Sequence, residues 1–132
     1  MNTLYLSLEE IVFLHFRVIE DYGGVHGVRN EGHIQSLVAM PKQAFGKELY
    51  PSLHDKAAVY LRNTICNHPF IDGNKRTGVV ICAAFLLRNN QAMIVSPKKL
   101  EDFVVKIAVD RLDTQVVSRW LEKHTTNRYS SS

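Results

Sequence analysis

His68-Pro69-Phe70-Ile71-Asp72-Gly73-Asn74-Lys75-Arg76-Thr77-Gly78 runs directly into the apolar residues 79–87, and the chain is organised around it. The stretch sets an imidazole, a carboxylate, a glycine turn and two cations against a buried element. Pro69 cannot continue a preceding helix, because it has no N–H and its ring clashes with the turn before it. The chain therefore turns through Asp72-Gly73-Asn74 and starts a new helix, so the turn lies at a helix N-terminus. There the first N–H groups have no intrahelical acceptor, and the aligned peptide dipoles leave about half a positive charge. An anion fits such a place. Gly73 permits a positive φ and close approach of a ligand. Asn74, Lys75, Arg76 and Thr77 complete a candidate phosphate-binding set. Asp72 is an oxygen ligand of the kind Mg²⁺ takes, since that ion keeps most of its waters and uses one or two carboxylates plus phosphate oxygens. His68 is a candidate general base, imidazole being the side chain most often used in that role.

Each of these residues also has an ordinary reading. An Asp-Gly-Asn turn followed by Lys-Arg can be a plain cap with a solvated first turn, and His68 can be a hydrogen-bonded structural histidine. The dipole weighs against the plain cap. Two cations in a first helical turn oppose it by roughly 0.3–1 kcal/mol each when exposed, and so ask for a compensating anion.

The same residues resemble the signature of the Fic/Doc family, His-x-Phe-x-Asp/Glu-Gly/Ala-Asn-Gly/Lys-Arg, and meet every fixed position of it. Upstream, Tyr22-Gly23-Gly24-Val25-His26-Gly27-Val28-Arg29-Asn30-Glu31-Gly32 resembles the segment before the second helix of Doc-type members. Two positions depart from the adenylylating Fic pattern: Lys75 stands where glycine is expected, and Val79 where a second arginine is expected. Both departures look like the Doc, or death-on-curing, branch. In that branch the resemblance implies that the lysine fills part of the anion hole and reverses ATP, so that the γ-phosphate faces the acceptor. The implied activity is a protein kinase using ATP and Mg²⁺. Its implied catalytic residues are His68, Asp72, Lys75 and Arg76. Its implied substrate is a hydroxyl of elongation factor Tu, with translation arrested as the outcome.

A nucleotidyl transferase using the same turn is the alternative, and a catalytically idle binding module is a further one. Family members silenced internally carry a Ser/Thr-x-x-x-Glu-Gly/Asn helix. The nearest match, Ser118 to Glu122, lacks the final small residue, and its arginine partner is absent at Val79. The resemblance therefore implies a separate, Phd-like antitoxin as partner.

The rest of the chain is consistent with an all-α bundle. Its 132 residues suit one domain over 1–124, followed by a polar tail at 125–132 expected to fray. With 45% hydrophobic and 22% charged residues the composition is that of an ordinary soluble domain. The charge of +3 and pI near 9.0 come from scattered cations with no basic block, so no direct nucleic-acid binding is expected. No leader and no apolar run of membrane-spanning length is visible, which points to the cytoplasm. Cys66 and Cys82 read as buried thiols with neither disulfide nor zinc, and of six histidines only His68 stands out.

Ser7-Leu8-Glu9-Glu10 is a capping box that starts a helix through about Asp21, with Leu6 and Ile11 placed as a hydrophobic staple. Asn30 caps a second helix to Met40, stopped by Pro41. Ser52 caps a third through about Asn67, which delivers His68 to the turn. The fourth, from Asn74 to about Arg88, is apolar nearly all round and is expected at the centre. Ser96-Pro97 opens a fifth to about Val109, and Asp113 caps the last. Met93-Ile94-Val95 reads as irregular, and no strand pair is expected. The loop over 42–51 contains Phe45, Gly46 and Tyr50. In Fic-type folds the corresponding region is a flap that holds target peptide. The expected fold is about six helices around a central apolar one.

Overall fold

The computed structural model describes residues 2–43 and 48–128. Phe45 and Gly46, and the end of the tail at 129–132, lie outside them. Ser7 opens α1 (Leu8–Tyr22) as a reciprocal cap: its Oγ accepts from the Glu10 N–H at 3.2 Å while Glu10 Oε1 accepts from the Ser7 N–H at 2.9 Å. Asn30 caps α2 (Glu31–Ala39), which tightens into a 3-10 turn over Met40–Lys42, where Pro41 blocks further α-helix. Ser52 and Asp55 repeat the capping box at α3 (Leu53–Asn67). Gly73 precedes α4 (Asn74–Arg88), Ser96 caps α5 (Pro97–Asp110) and Asp113 caps α6 (Thr114–Lys123).

The expected all-α bundle is present, with α4 packed against α1 and α3. Ile81, Cys82, Phe85 and Leu86 of α4 meet Ala57, Tyr60, Leu61 and Ile65 of α3 in one core, and all are at most 1% exposed. The helix α3 shares the centre, since it also contacts α2, α5 and α6. The two helices approach closely at Gly78, where an added Cβ would stand 3.3 Å from the Leu61 carbonyl oxygen. Tyr60 turns its hydroxyl to the Leu6 N–H, and burial pushes that phenol up to about 12. Cys66 and Cys82 are free and buried.

Two expectations are corrected here. Residues Gln91–Met93 form β1 and Thr125–Asn127 form β2, paired antiparallel in the register Gln91↔Asn127, Ala92↔Thr126 and Met93↔Thr125. The ladder continues through Ile94 N–H to the His124 carbonyl and Arg128 N–H to the Asn90 carbonyl. Thus the first residues of the expected tail are held, and Met93 is not irregular. A three-residue strand is too short to show a period of two, and its partner is supplied by folding over more than thirty positions of sequence.

The segment at 48–50 is tied down by a residue that periodicity did not single out. Lys56, 2% exposed on α3, donates from Nζ to the Tyr50 carbonyl and reaches Glu48 Oε1 at 3.4 Å.

Candidate active site

Helix α3 ends at Asn67, and His68 takes up a left-handed backbone at φ 50°, ψ 60°. That reverses the chain and buries Pro69 and Phe70 while leaving His68 exposed. The imidazole of His68 makes no hydrogen bond to a described residue. Phe70 lies flat on His15 of α1, with ring centroids 3.8 Å apart and planes 3° from parallel. His15 Nε2–H donates to the Asp72 carbonyl at 2.9 Å. Burial pushes the His15 imidazole below its ordinary 6.5, against the upward pull of that hydrogen bond. The neutral ring is therefore a fixed wall of the turn.

The segment between α1 and α2 forms the other wall. Arg29 and Asn30 both donate their N–H to the Pro69 carbonyl, at 2.8 and 3.1 Å, and Ile71 N–H donates to the Gly27 carbonyl at 3.0 Å. Val28 and Phe70 make an isolated antiparallel bridge. Arg29 also forks its guanidinium over the end of α3, with Nε donating to His68 O at 2.7 Å and Nη2 to Asn67 O at 2.9 Å. The glycine-rich stretch at 22–32 is thus the mould of the turn.

Asp72 is exposed, and its carboxylate is aimed by two main-chain donors, Val25 N–H on Oδ2 at 3.0 Å and Gly73 N–H on Oδ1 at 2.8 Å. Gly24, at φ 123°, leaves the room this needs; a Cβ there would be 2.7 Å from Asp72 Oδ2. Asn74 is buried, and its amide closes the turn on itself by accepting from Phe70 N–H at 3.0 Å and donating to Phe70 O at 2.9 Å. Gly73, at φ 73°, carries the chain into α4.

No side chain caps α4, and its first turn holds no acid. Lys75 and Arg76 project from that turn exposed. Arg76 lies over the Tyr22 ring, 4.0 Å from its centroid, and Lys75 has no ion-pair partner among the described residues. Thr77 is fully buried, its N–H bonded to Gly73 O and its Oγ1 without a partner among the described residues.

The fold therefore brings the predicted residues onto one connection with distinct placements. His68, Asp72, Lys75 and Arg76 are presented outward, whereas the Gly73 main chain is taken up by Asp72 Oδ1 and by the Thr77 N–H. The side chains of Asn74 and Thr77 face inward. His15 and Tyr22 of α1 and Arg29 of the segment after it also contact this connection. In the sequence Tyr22 and Arg29 stand out only as members of the upstream stretch that resembles Doc-type proteins, and His15 does not stand out.

The donor set suits a nucleotide polyphosphate: open N–H groups at a helix end, two cations and no nearby acid in that turn. One aimed carboxylate suits Mg²⁺, which takes its remaining ligands from phosphate and water. No cluster of three acidic, histidine or cysteine side chains able to cage a metal exists among the described residues. A shared-ligand ion is the kind that fits here.

Comparisons with known proteins bear on the family of the chain. The family model described as "Fic/DOC family" matches residues 5–86, which contain both α1 and the whole turn. "Protein kinase doc" of Escherichia phage P1 is 30% identical over 119 residues, covering 90% of this chain and 94% of that protein. "Toxin Doc" of Mycolicibacterium smegmatis is 32% identical over 100 residues, covering 74% of this chain and 77% of that protein. "Protein adenylyltransferase Fic" of Drosophila mojavensis is 27% identical over 115 residues, which is 75% of this chain but 23% of that much longer protein. A match that spans the turn, its mould and the central helix, joined to relatives aligned along most of their length, places this chain in the Fic/Doc family.

Proposed function

We propose that this chain is a Doc-like toxin, a protein serine/threonine kinase that moves the γ-phosphate of ATP to a hydroxyl of a translation factor and so arrests translation in the cytoplasm. The observation that carries the reading is the open, acid-free N-terminus of α4, with Lys75 and Arg76 exposed on it and Asp72 and His68 exposed on the turn before it. The kinase reading takes further support from Lys75 in place of glycine, from Val79 in place of a second arginine, and from the likeness to a protein kinase along nearly its whole length. Elongation factor Tu is the proposed acceptor, and a Phd-like antitoxin the proposed silencer.

Mg²⁺–ATP would supply the phosphoryl group and neutralise part of its charge. Main-chain N–H groups at the start of α4 bind phosphate oxygens, and Lys75 and Arg76 offset negative charge that spreads in the transition state. Arg76 is steadied for this by the face of Tyr22. Asp72, its carboxylate held by the Val25 and Gly73 N–H groups, would hold the Mg²⁺ ion, which takes its other ligands from phosphate and water. A neutral imidazole nitrogen of His68 takes the proton of the acceptor hydroxyl as that oxygen bonds to phosphorus and the bond to the leaving diphosphate oxygen breaks.

A nucleotidyl transferase is the second reading, favoured by the similarity to a named adenylyltransferase. Incubation with lysate, Mg²⁺ and ATP labelled at either the γ- or the α-phosphate separates the two. Label arriving on protein from γ alone is the expected result, and label from α would transfer the protein to the adenylylating branch. His68→Ala is to lower transfer by about 10²- to 10⁴-fold with ATP binding retained. Unchanged turnover in that variant would remove His68 as the base.

A further inference from the structure

The ring of His68 lacks the orienting partner that a catalytic base ordinarily has, since no described residue hydrogen-bonds to it. Its main chain, in contrast, is held in a conformation it would not choose. A non-glycine residue at φ 50° is strained, and a residue directly before proline is biased toward extended backbone. Such a conformation persists only where its surroundings over-determine it. Arg29 supplies that determination. Its Nε and Nη2 fork onto the carbonyls of His68 and Asn67, and its N–H holds Pro69. These carbonyls lie at the C-terminal end of α3, where the final acceptors lack helical donors and carry the negative end of the dipole. A planar guanidinium matches two neighbouring carbonyls at once, which an ammonium does not.

We propose that Arg29 is the positioning residue for His68, fixing the direction of its side chain through the main chain at the end of α3; this rests on the reading of His68 as general base. Arg29 touches neither nucleotide nor acceptor in this role. Its removal is felt in the proton-transfer step and leaves nucleotide binding intact.

The test is a cycle of four proteins: wild type, Arg29→Lys, His68→Ala and the double variant, with Arg29→Ala as a second probe of the same position. Arg29→Lys keeps the charge near the end of α3 and loses the fork, so it reports direction separately from charge. With His68 present, kcat is expected to fall about 10- to 100-fold while KM for ATP stays within about twofold. With His68→Ala, the same substitution is expected to change residual transfer by less than about threefold, because there is no base left to position. Equal losses in both backgrounds, or a raised KM with kcat unchanged, overturns the assignment. If the wild type transfers no label from either form of ATP, the functional reading fails on its own account. Carbon-13 relaxation at His68 Cε1 still decides the positioning role: ring mobility is to rise in Arg29→Lys, and an unchanged order parameter refutes it.

Discussion

His15 shows how one buried side chain can set the geometry of an exposed site. It presents a donor to the Asp72 carbonyl and a flat face to Phe70, so it fixes the turn on both sides of Ile71. Its imidazole is held below 6.5 by burial, which means the unfolded chain binds a proton there more readily than the folded one. Stability therefore rises with pH through that region, and falls as pH drops below 6.5 toward the lowered folded value. His15→Phe keeps the stacking surface and removes both the donor and the titration. The variant is expected to lose about 1 kcal/mol at pH 7.5 and to show a flatter stability profile below pH 6.5, measured by urea unfolding at a series of pH values. An unchanged slope would mean that another group carries the acid sensitivity. His68, Asp72, Lys75 and Arg76 were legible in the sequence because they sit in one contiguous run. His15 and Arg29 were not, because their bonds to the turn span 57 and 39 positions. The only local hint of His15 is its place on the buried face of α1 beside Ile11, Val18 and Ile19.

Among the elements, helices announced themselves through their caps. Ser7, Asn30, Ser52, Ser96 and Asp113 each accept from the N–H three residues on, so the starts of five helices followed from local chemistry. The exception is α4, which begins at a left-handed Gly73 with no side-chain cap. The missing cap is the feature that makes its N-terminus available to a ligand. The β1–β2 ladder left no trace, since its register depends on where α4 and α6 bring their ends. The mould at 22–32 lies between these cases. Its likeness to Doc-type members was visible, but its bonds to Pro69, Ile71 and Asp72 were not. Gly24→Ala tests that link. An alanine must adopt φ near 123° and push the Asp72 carboxylate away from Val25 N–H. The strain costs about 1–3 kcal/mol. Label transfer is expected to fall at least about tenfold, with a higher Mg²⁺ requirement, because the carboxylate proposed to hold the metal has lost its aim. A stable variant with unaltered Mg²⁺ dependence would count against Asp72 as that ligand.

For the whole molecule, the question is what holds α1 against α4, since His15 and Tyr22 act on the turn only while those two helices keep their relation. Far from the turn, Arg88 at the end of α4 pairs with Glu10 in the first turn of α1 and also donates to the Tyr5 carbonyl at 3.1 Å. The charges complement both dipoles, acid at one helix start and base at the other helix end. Arg88, followed by the Ser7 N–H, holds the Glu10 carboxyl down at about 2 against an ordinary 4.5. A depressed carboxyl contributes stability in full above pH 4.5 and loses it as pH falls through the folded value near 2. Both side chains are more than a third exposed, so screening limits the pair to about 1 kcal/mol or less. Glu10→Gln retains an oxygen for the Ser7 cap and removes the charge together with the second oxygen that accepts from Arg88 Nη2. Its melting temperature is expected to lie about 3 °C below wild type at pH 7 in low salt. The gap is expected to narrow at high salt and to close between pH 4.5 and 2 as wild-type Glu10 takes up its proton. A gap that persists at pH 2 would assign the loss to the cap, leaving the tie between the helices to the buried contacts alone.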